Sequence, residues 1–371
     1  MTRKIFIAAT GQNIGKTTTS LFLLHLARKK YDRLGFIKPL GPKPAVMNGI
    51  EVDKDAALMA QVFGLAKDLP LMSPVVLHPD STRKAIDGEL PADELQRRIL
   101  AACAELEKTC DFLIIEGSGH VGVGSVIGMS NARIARMLDA PVLMVTGGGI
   151  GNVVDSVHAN LALFEKEGVE VRAILANKLI PEKRERTLDY LRRAFAPEPF
   201  QVLSGFDYQP ILANPTLHRV SVLLDLPLHG NTHDARRIIN HVQIGAASTQ
   251  RVAELLKDSS LLIVTSSRDE LLVTLANLYH IPEYRKKIVG LVIPGIIPVG
   301  NITQQILDRS NIPYLRTQSH TTAELHRLIT EDVSKLTAED TEKITLVQNL
   351  ADTAFDFDTL DALFDRSAGH L

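Results

Sequence analysis

Residues 5–17 read Ile-Phe-Ile-Ala-Ala-Thr-Gly-Gln-Asn-Ile-Gly-Lys-Thr, a short apolar run that leads through a glycine-containing loop into a helical pattern. A strand, a glycine loop and a helix in this order are typical of a phosphate-binding loop, in which backbone N–H groups at the helix N-terminus surround an anion. In such a loop Lys16 reaches the phosphates and the Thr17 hydroxyl binds Mg²⁺. Thr10 stands where the usual pattern has its first glycine. An ordinary turn before a helix is the alternative, and it accounts less well for the intact Gly-Lys-Thr.

The phosphates of a nucleotide are therefore expected at this loop and at the first turn of the helix that follows it. The predicted nucleotide-binding residues of this segment are Gly11, Gln12, Asn13, Ile14, Gly15, Lys16, Thr17 and Thr18.

A second motif places an acid at the end of another apolar run. Residues 111–119 read Asp-Phe-Leu-Ile-Ile-Glu-Gly-Ser-Gly, so Glu116 is expected at the carboxyl edge of a parallel sheet, where α/β proteins bind ligands. There it could hold Mg²⁺ directly or through water. The alternative is an exposed acid that simply ends a strand. The glycines beside Ser118 predict a flexible loop suited to sensing a γ-phosphate, and His120 either touches a substrate or has no catalytic role.

The alternation of strand and helix patterns predicts the domain organisation. Residues 1–195 are predicted to form one doubly wound α/β domain with a mostly parallel sheet, since their strands are almost continuously apolar. Prolines and glycines interrupt the pattern at 196–215, which we interpret as a linker. The alternation resumes over 216–325 as a second, smaller α/β domain, and 326–371 is predicted to be a helical C-terminal segment.

Composition excludes several classes of function. Among 371 residues, 41 Lys and Arg balance 43 Asp and Glu, so no basic field favours nucleic acid as a partner. No stretch approaches the roughly 20 apolar residues of a membrane span, and no membrane association is expected. Cys103 and Cys110 are the two cysteines; they cannot form a disulfide framework, which predicts a cytoplasmic location, and a buried structural role is expected for both.

Taken together, these motifs resemble the dethiobiotin synthetase-like P-loop family, which also supplies the N-terminal region of long phosphotransacetylases. The similarity includes the threonine in the loop, the pair Lys38-Pro39 after the second strand, the pair Asp55-Ala56 on the next helix, and the run 116–119. Order and spacing both agree with the family.

The resemblance implies a site that uses ATP and Mg²⁺, with Thr17, Asp55 and Glu116 around the metal. It implies that the catalytic residues are Lys16 and Lys38, which neutralise the phosphates and an attacking oxyanion. In the family a carbamate or carboxylate attacks the γ-phosphate. It also implies that Asn177 reads the nucleotide base, and that the protein is a homodimer with 121–134 as an interface segment. Without the family, Lys38 and Asp55 would be interpreted as solvated surface charges.

The stretch from about 210 to 340 resembles the DRTGG domain, the second module of those N-terminal regions. It departs from the family at Ser266–Asp269 and Pro294–Ile296, where the characteristic turns differ, so no ligand is assigned there. Ser266 and Ser267 could bind an anion or cap the following helix, and capping is the favoured interpretation. Thr321 and Glu324 have the spacing of a capping box.

Two functions remain from the sequence. The first is an ATP-dependent ligase or ATPase that phosphorylates a carboxylate or carbamate of a small molecule. The alternative is a non-catalytic protein that senses a nucleotide or metabolite. No stretch resembling the transacetylase catalytic domain follows the two modules, so acetyl transfer is not predicted. A plain dethiobiotin synthetase is not expected either, because half of the chain is additional.

Overall fold

The computed structural model of this protein describes residues 2–332 and 336–365. These residues divide into two compact units. The first contains 2–209 and 336–365, and the second contains 210–332. Each unit is built around its own sheet, fully parallel in the first unit and mostly parallel in the second.

The first unit begins with the predicted alternation of strands and helices. Its strands are β1 (Arg3–Ala9), β2 (Leu34–Ile37), β3 (Leu40–Gly41), β4 (Pro44–Met47), β5 (Ile50–Asp53), β6 (Val75–Val76), β7 (Phe112–Glu116), β8 (Val142–Thr146), β9 (Val171–Ala176) and β10 (Gln201–Ser204). Its helices up to residue 209 are α1 (Lys16–Ala27), α2 (Lys54–Phe63), α3 (Leu69–Met72), α4 (Ser81–Ile86), α5 (Ala92–Thr109), α6 (Asn131–Met137), α7 (Gly151–Glu167) and α8 (Arg184–Ala194).

Six of these strands form one sheet in the order β10-β9-β8-β1-β7-β2, and every neighbouring pair is parallel. Strands β7 and β2 lie on one side of β1, and β8, β9 and β10, which come later in the chain, lie on the other. The strand order therefore reverses beside β1, and ligands of open α/β sheets bind at the carboxyl ends of the strands at such a point. The loop after β1 lies at this position.

The central strands are buried on both faces, which explains their continuous apolar sequences. Each residue of Ile5–Ala9, Phe112–Ile115 and Val142–Val145 is fully inaccessible to solvent. Two small sheets pair β3 with β6 and β4 with β5. Strands β3, β4 and β5 lie between Lys38 and α2, whereas β6 follows α3. These two- and four-residue strands were not predicted.

The second unit has a smaller sheet in the order β11-β15-β14-β13-β12, in which only the pair formed by β11 is antiparallel. Its strands are β11 (Leu228–His229), β12 (His241–Ile244), β13 (Ser260–Ile263), β14 (Ile288–Pro294) and β15 (Tyr314–Thr317). Its helices are α9 (Leu217–Leu224), α10 (Thr249–Glu254), α11 (Asp269–Leu278), α12 (Pro282–Lys287), α13 (Asn301–Ser310) and α14 (Thr322–Glu331). The predicted fold class, a doubly wound mostly parallel sheet followed by a smaller α/β domain, is confirmed.

The structure resolves two predictions about helix starts in the second unit. The capping box of Thr321 and Glu324 is present at the start of α14. The prediction that Ser266 and Ser267 cap α11 is wrong, because Arg268 occupies the N-cap position and no side chain caps the helix. Ser266 instead donates its hydroxyl proton to the carbonyl of Ile297 at 2.6 Å, which ties together the loops that follow β13 and β14.

The observed boundaries differ from the predicted ones at both ends of the second unit. The predicted linker 196–215 contains β10, which pairs with β9 and belongs to the first sheet. The predicted tail 326–371 is divided as well. Ile329 of α14 lies in the core of the second unit, whereas 336–365 belongs to the first unit. Residues 333–335 and 366–371 lie outside the described residues.

In the described part of the chain, the helices are too short or too polar to cross a membrane.

The C-terminal helices α15 (Thr341–Ala354) and α16 (Phe357–Leu363) pack on α1, the helix that follows the phosphate-loop sequence. Their acidic residues face basic residues of the first 31 residues of the chain. Asp352 contacts both His25 Nε2 at 2.8 Å and Lys29 Nζ at 2.5 Å. Phe22 and Phe355 add a ring contact with centroids 4.7 Å apart. The C-terminal segment is therefore part of the fold of the first unit.

Asp361 is the buried centre of this contact, with Arg3 Nε at 3.0 Å, Lys30 Nζ at 2.9 Å and the Tyr31 hydroxyl at 2.8 Å. We expect Asp361→Asn to lower the free energy of unfolding by about 2 kcal/mol, because the buried side chain loses the negative charge that pairs with Arg3 and Lys30. The exposed neighbour Asp358 also pairs with Lys30, and Asp358→Asn is the matched control. Urea denaturation measures both, and equal stabilities would contradict the assigned role of Asp361.

Candidate functional site

The loop between β1 and α1 has the geometry that phosphate binding requires. Gly15 takes a φ of 116° at the N-cap of α1, and no side chain caps this helix. The first N–H groups of α1 are therefore available to an anion rather than used by a capping residue. A Cβ at Gly15 would lie 2.3 Å from the amide nitrogen of Asn177, so both the backbone conformation and the space require glycine.

Two residues after β9 brace this loop. Asn177 donates from Nδ2 to the carbonyl of Ile14 at 3.0 Å and accepts at Oδ1 from the N–H of Phe206 at 3.2 Å. Lys178 donates from Nζ to the carbonyl of Asn13 at 2.6 Å, and its partial burial lowers its pKa. Asn177 thus lies beside the loop, and base recognition, the role expected for it, stays a prediction. Lys178 was not predicted, although it directly follows Asn177 in the chain.

Lys16 is buried and points along the loop. Its Nζ donates to the carbonyl of Gly119 at 2.6 Å and lies 3.4 Å from the carbonyl of Gly11. Gly119 belongs to the segment after β7, so Lys16 joins the two motifs that the sequence analysis singled out. A flexible ammonium between two loops at the carboxyl edge is well placed to contact a phosphate.

Glu116 ends β7 and is completely buried, so the interpretation as an exposed acid is wrong. Its Oε1 accepts from the Thr17 hydroxyl at 3.1 Å, and its Oε2 accepts from the Ser20 hydroxyl at 2.7 Å. Ser20 was missed by the sequence analysis. Its position three residues after Thr17 on the same helix was the available signal, since side chains three apart share a helix face.

Lys38 follows β2 and lies between two carboxylates. Its Nζ is 2.8 Å from Asp55 Oδ2, 2.8 Å from Glu116 Oε1 and 3.2 Å from the carbonyl of Gly117. Burial alone would lower the pKa of Lys38, but the two carboxylates outweigh burial and raise it above its ordinary value. Lys38 and Asp55 are therefore buried and paired at the candidate site rather than solvated surface charges, and the roles that the family resemblance implies for them stay predictions.

Asp55 owes its position to Asp53, which the sequence analysis missed. Asp53 Oδ1 accepts from the N–H of Asp55 at 2.9 Å and caps α2, while its Oδ2 accepts from the N–H of Lys43 at 3.0 Å. Burial, together with the charge of Asp55, raises the pKa of Asp53 to about 6. An aspartate just before a helical pattern is a standard capping signal, and it could have identified this residue.

The structure thus brings Thr17, Lys38, Asp55 and Glu116 into one cluster, with Lys16 joined to it through the loop after β7. The side-chain oxygens of Thr17, Asp55 and Glu116 are the kind that Mg²⁺ prefers, since this ion is commonly held by one or two carboxylates, a hydroxyl and substrate phosphates. The residues present therefore fit a magnesium site. This candidate set has two carboxylates and one hydroxyl. A group of three or more His, Cys, Asp or Glu side chains placed to hold a metal ion is absent from the described residues.

The remaining predicted residues have simpler surroundings. Gln12 and Asn13 are exposed in the loop, and Thr18 is half-buried in the first turn of α1. His120 is exposed and accepts at Nδ1 from the N–H of Gly122 at 3.2 Å. Cys103 and Cys110 are buried, and burial raises the pKa of each thiol to about 12, which is consistent with a structural role.

The AAA domain family AAA_26 matches residues 3–216. The chain belongs to this family. The match includes the whole six-stranded sheet and all of the residues of the candidate site.

The relatives agree with the expected resemblance. A phosphate acetyltransferase of Synechocystis sp. is 25% identical over 270 residues, which cover 71% of this chain and 38% of that protein. The ATP-dependent dethiobiotin synthetase of Aromatoleum aromaticum is 28% identical over 195 residues, which cover 52% of this chain and 85% of that enzyme. The predicted similarity to both groups is confirmed. The chain spans about two fifths of the length of the phosphate acetyltransferases that it matches.

A solved structure of the CBS and DRTGG domains from the regulatory region of Clostridium perfringens pyrophosphatase matches 40% of this chain and 66% of that chain. The identity is 14% and the TM-score 0.27. A similarity this low carries no argument, so the DRTGG-like character of the second unit stays a prediction.

Gly15→Ala tests the loop geometry directly. We expect it to abolish the thermal stabilisation that a nucleoside triphosphate with Mg²⁺ gives, because the added Cβ collides with Asn177 and the residue must hold a left-handed conformation. Gly151→Ala is the control, since a Cβ there meets no atom within 4 Å and its φ is ordinary. Differential scanning fluorimetry with and without the nucleotide compares them. Unchanged stabilisation in Gly15→Ala would show that phosphates bind elsewhere.

Proposed function

We propose that the first unit binds ATP and Mg²⁺ and transfers the γ-phosphoryl group to a carboxylate or carbamate of a small molecule. The observation that carries the proposal is the buried Lys38 ammonium, which contacts Asp55, Glu116 and the carbonyl of Gly117. Simple nucleotide binding needs Lys16 and the loop, but it does not need a second buried lysine at the same sheet edge. A second cation is useful where an anionic acceptor must approach an anionic phosphate.

The proposed roles follow from the positions of the side chains. The loop N–H groups and Lys16 hold the phosphates, and Asn177 contacts the base. Thr17, Asp55 and Glu116 would hold Mg²⁺, which when bound neutralises charge on the phosphate oxygens. Lys38 would give up a carboxylate contact where those carboxylates bind the metal, and its ammonium then faces the acceptor.

The transfer itself needs little covalent assistance from the protein. An oxygen of the acceptor forms a bond to the γ-phosphorus while the bond to the β,γ-bridging oxygen breaks, which yields ADP and an acyl or carbamoyl phosphate. No proton has to move, because the acceptor is already anionic. The contribution of the site is then to position the groups and to compensate their charge, and these effects dominate in phosphoryl transfer.

ADP release in the presence of a panel of dicarboxylates, and of amines with bicarbonate, tests this function. We expect one compound to stimulate release, and Lys38→Ala to remove that stimulation while MgATP still stabilises the fold. Lys4→Ala is the matched control. Lys4 is also ion-paired, with Glu107 at 2.9 Å, but it lies at the amino end of β1, away from the site. A flat response across the panel, with ATP still bound, would refute phosphoryl transfer.

Lys16→Ala tests nucleotide binding independently of the acceptor. We expect it to eliminate measurable binding of MgATP, because the variant loses the ammonium that lies between the two loops. Calorimetric titration with MgATP measures the effect. The same affinity as in the unsubstituted chain would refute the assigned site.

A second candidate function is nucleotide sensing without turnover. The 270-residue alignment with a phosphate acetyltransferase is longer than the first unit and so extends into the second. This candidate is favoured because it gives the second unit a role, which phosphoryl transfer at the first unit does not require. In this candidate the first unit binds ATP and the second responds to a metabolite or a partner. The panel above separates the two candidates, since a sensor binds ATP but releases no additional ADP with any acceptor.

A further inference from the structure

Asn131 is a buried amide whose hydrogen bonds all go to the segment after β7. Its Oδ1 accepts from the N–H of Ser118 at 3.0 Å. Its Nδ2 donates to the carbonyls of Ser118 and His120, each at 2.7 Å. The side chain is 1% exposed. We call residues 117–120 the switch-side loop, and Asn131 bonds to it from outside the loop at three atoms.

The switch-side loop is also where both site lysines bind. Lys38 donates to the carbonyl of Gly117 at 3.2 Å, and Lys16 donates to the carbonyl of Gly119 at 2.6 Å. These two carbonyls flank Ser118, the residue that Asn131 holds by both its N–H and its carbonyl. A shift of Ser118 would therefore move the acceptor atoms of both lysines together.

Gly117 shows how closely Asn131 packs on the loop. A Cβ at Gly117 would lie 2.7 Å from Asn131 Oδ1 and 3.1 Å from Cε1 of Phe6. The loop backbone thus lies directly on the amide, with no room for even a methyl group. A further contact fixes the loop, since the Ser118 hydroxyl donates to the carbonyl of Leu40 at 2.5 Å.

The helix that carries Asn131 does not need this side chain for its own start. Asn131 is the first residue of α6, and Ser130 is the cap, since the Ser130 hydroxyl accepts from the N–H of Arg133 at 3.2 Å. The three bonds of Asn131 therefore serve the switch-side loop and not the helix.

We propose that Asn131 is a positioning residue that fixes the switch-side loop so that Lys16 and Lys38 distinguish a nucleoside triphosphate from a diphosphate. The inference rests on the proposed nucleotide site, but it does not require turnover. A terminal phosphate adds negative charge next to these ammonium groups, and its binding depends on where the loop carbonyls hold them.

Asn131→Leu tests the proposal, because leucine has the same branching and removes all three hydrogen bonds. We expect the ratio of affinities for the non-hydrolysable triphosphate AMP-PNP and for ADP, both with Mg²⁺, to fall by about tenfold. A tenfold change corresponds to the loss of one hydrogen bond between a lysine ammonium and the terminal phosphate. Isothermal titration calorimetry on the full chain gives both affinities. A purely structural role would lower stability but leave this ratio unchanged.

Ser130→Ala is the matched control, since it weakens the start of the same helix without touching residues 117–120. We expect it to leave the affinity ratio unchanged. Gly117→Ala provides a second test from the loop side, because its Cβ would push Ser118 away from Asn131. It decides the proposal if circular dichroism shows that Asn131→Leu does not fold. A folded Gly117→Ala or Asn131→Leu with the original ratio overturns the proposal, and so does an equal loss in Ser130→Ala.

The outcome for the unsubstituted chain separates this inference from the proposed function. If the unsubstituted chain binds neither nucleotide, the nucleotide site is refuted, and the proposed role of Asn131 is refuted as well. Equal affinity for the two nucleotides overturns only the role of Asn131. A preference for the triphosphate that Asn131→Leu abolishes supports the inference, whether or not any acceptor stimulates ADP release.

Discussion

The burial of the Lys38 ammonium between Asp55 and Glu116 constrains the arrangement of the whole site. A buried charge is strongly unfavourable unless it is paired and hydrogen-bonded, and Lys38 is paired at 2.8 Å with both carboxylates. This pairing requires the ends of β2 and β7 and the start of α2 to meet at one place. The parallel pairing of β2 with β7 provides that meeting point, since both strands end at the same edge of the sheet.

Around this ion cluster, the site is supported mainly by short polar side chains that act on backbone. Asp53 holds the start of α2, Asn131 holds the loop after β7, and Asn177 holds the loop before α1. Each is buried and each bonds to main-chain atoms, so the positions of the charged groups depend on these amide and carboxylate contacts. Packed, hydrogen-bonded neighbours of this kind hold the groups of a binding site in the geometry that binding requires.

The C-terminal segment shows that the first unit is not continuous in sequence. Residues 336–365 return to it after the second unit and place acidic residues against the basic residues of α1 and β1. Because α1 also carries Lys16 and Thr17 at its start, the helix at the candidate phosphate site is covered by residues more than 300 positions away. The sequence pattern predicted helices there, but a charge pattern does not reveal which surface it will meet.

The sequence by itself determined the phosphate loop, the acid at the end of β7 and the doubly wound fold, because each depends on local order: an apolar strand, a glycine at a left-handed position, and a helix start. The family resemblance also singled out Asn177, but for contact with the base, and that role stays a prediction. Only the tertiary structure decided that Lys38 and Asp55 are buried, that Ser20, Asp53 and Asn131 contact the candidate site, and that β10 and the C-terminal helices complete the first unit. These features arise from contacts between segments distant in the chain, and whether a polar residue is buried depends on what packs against it.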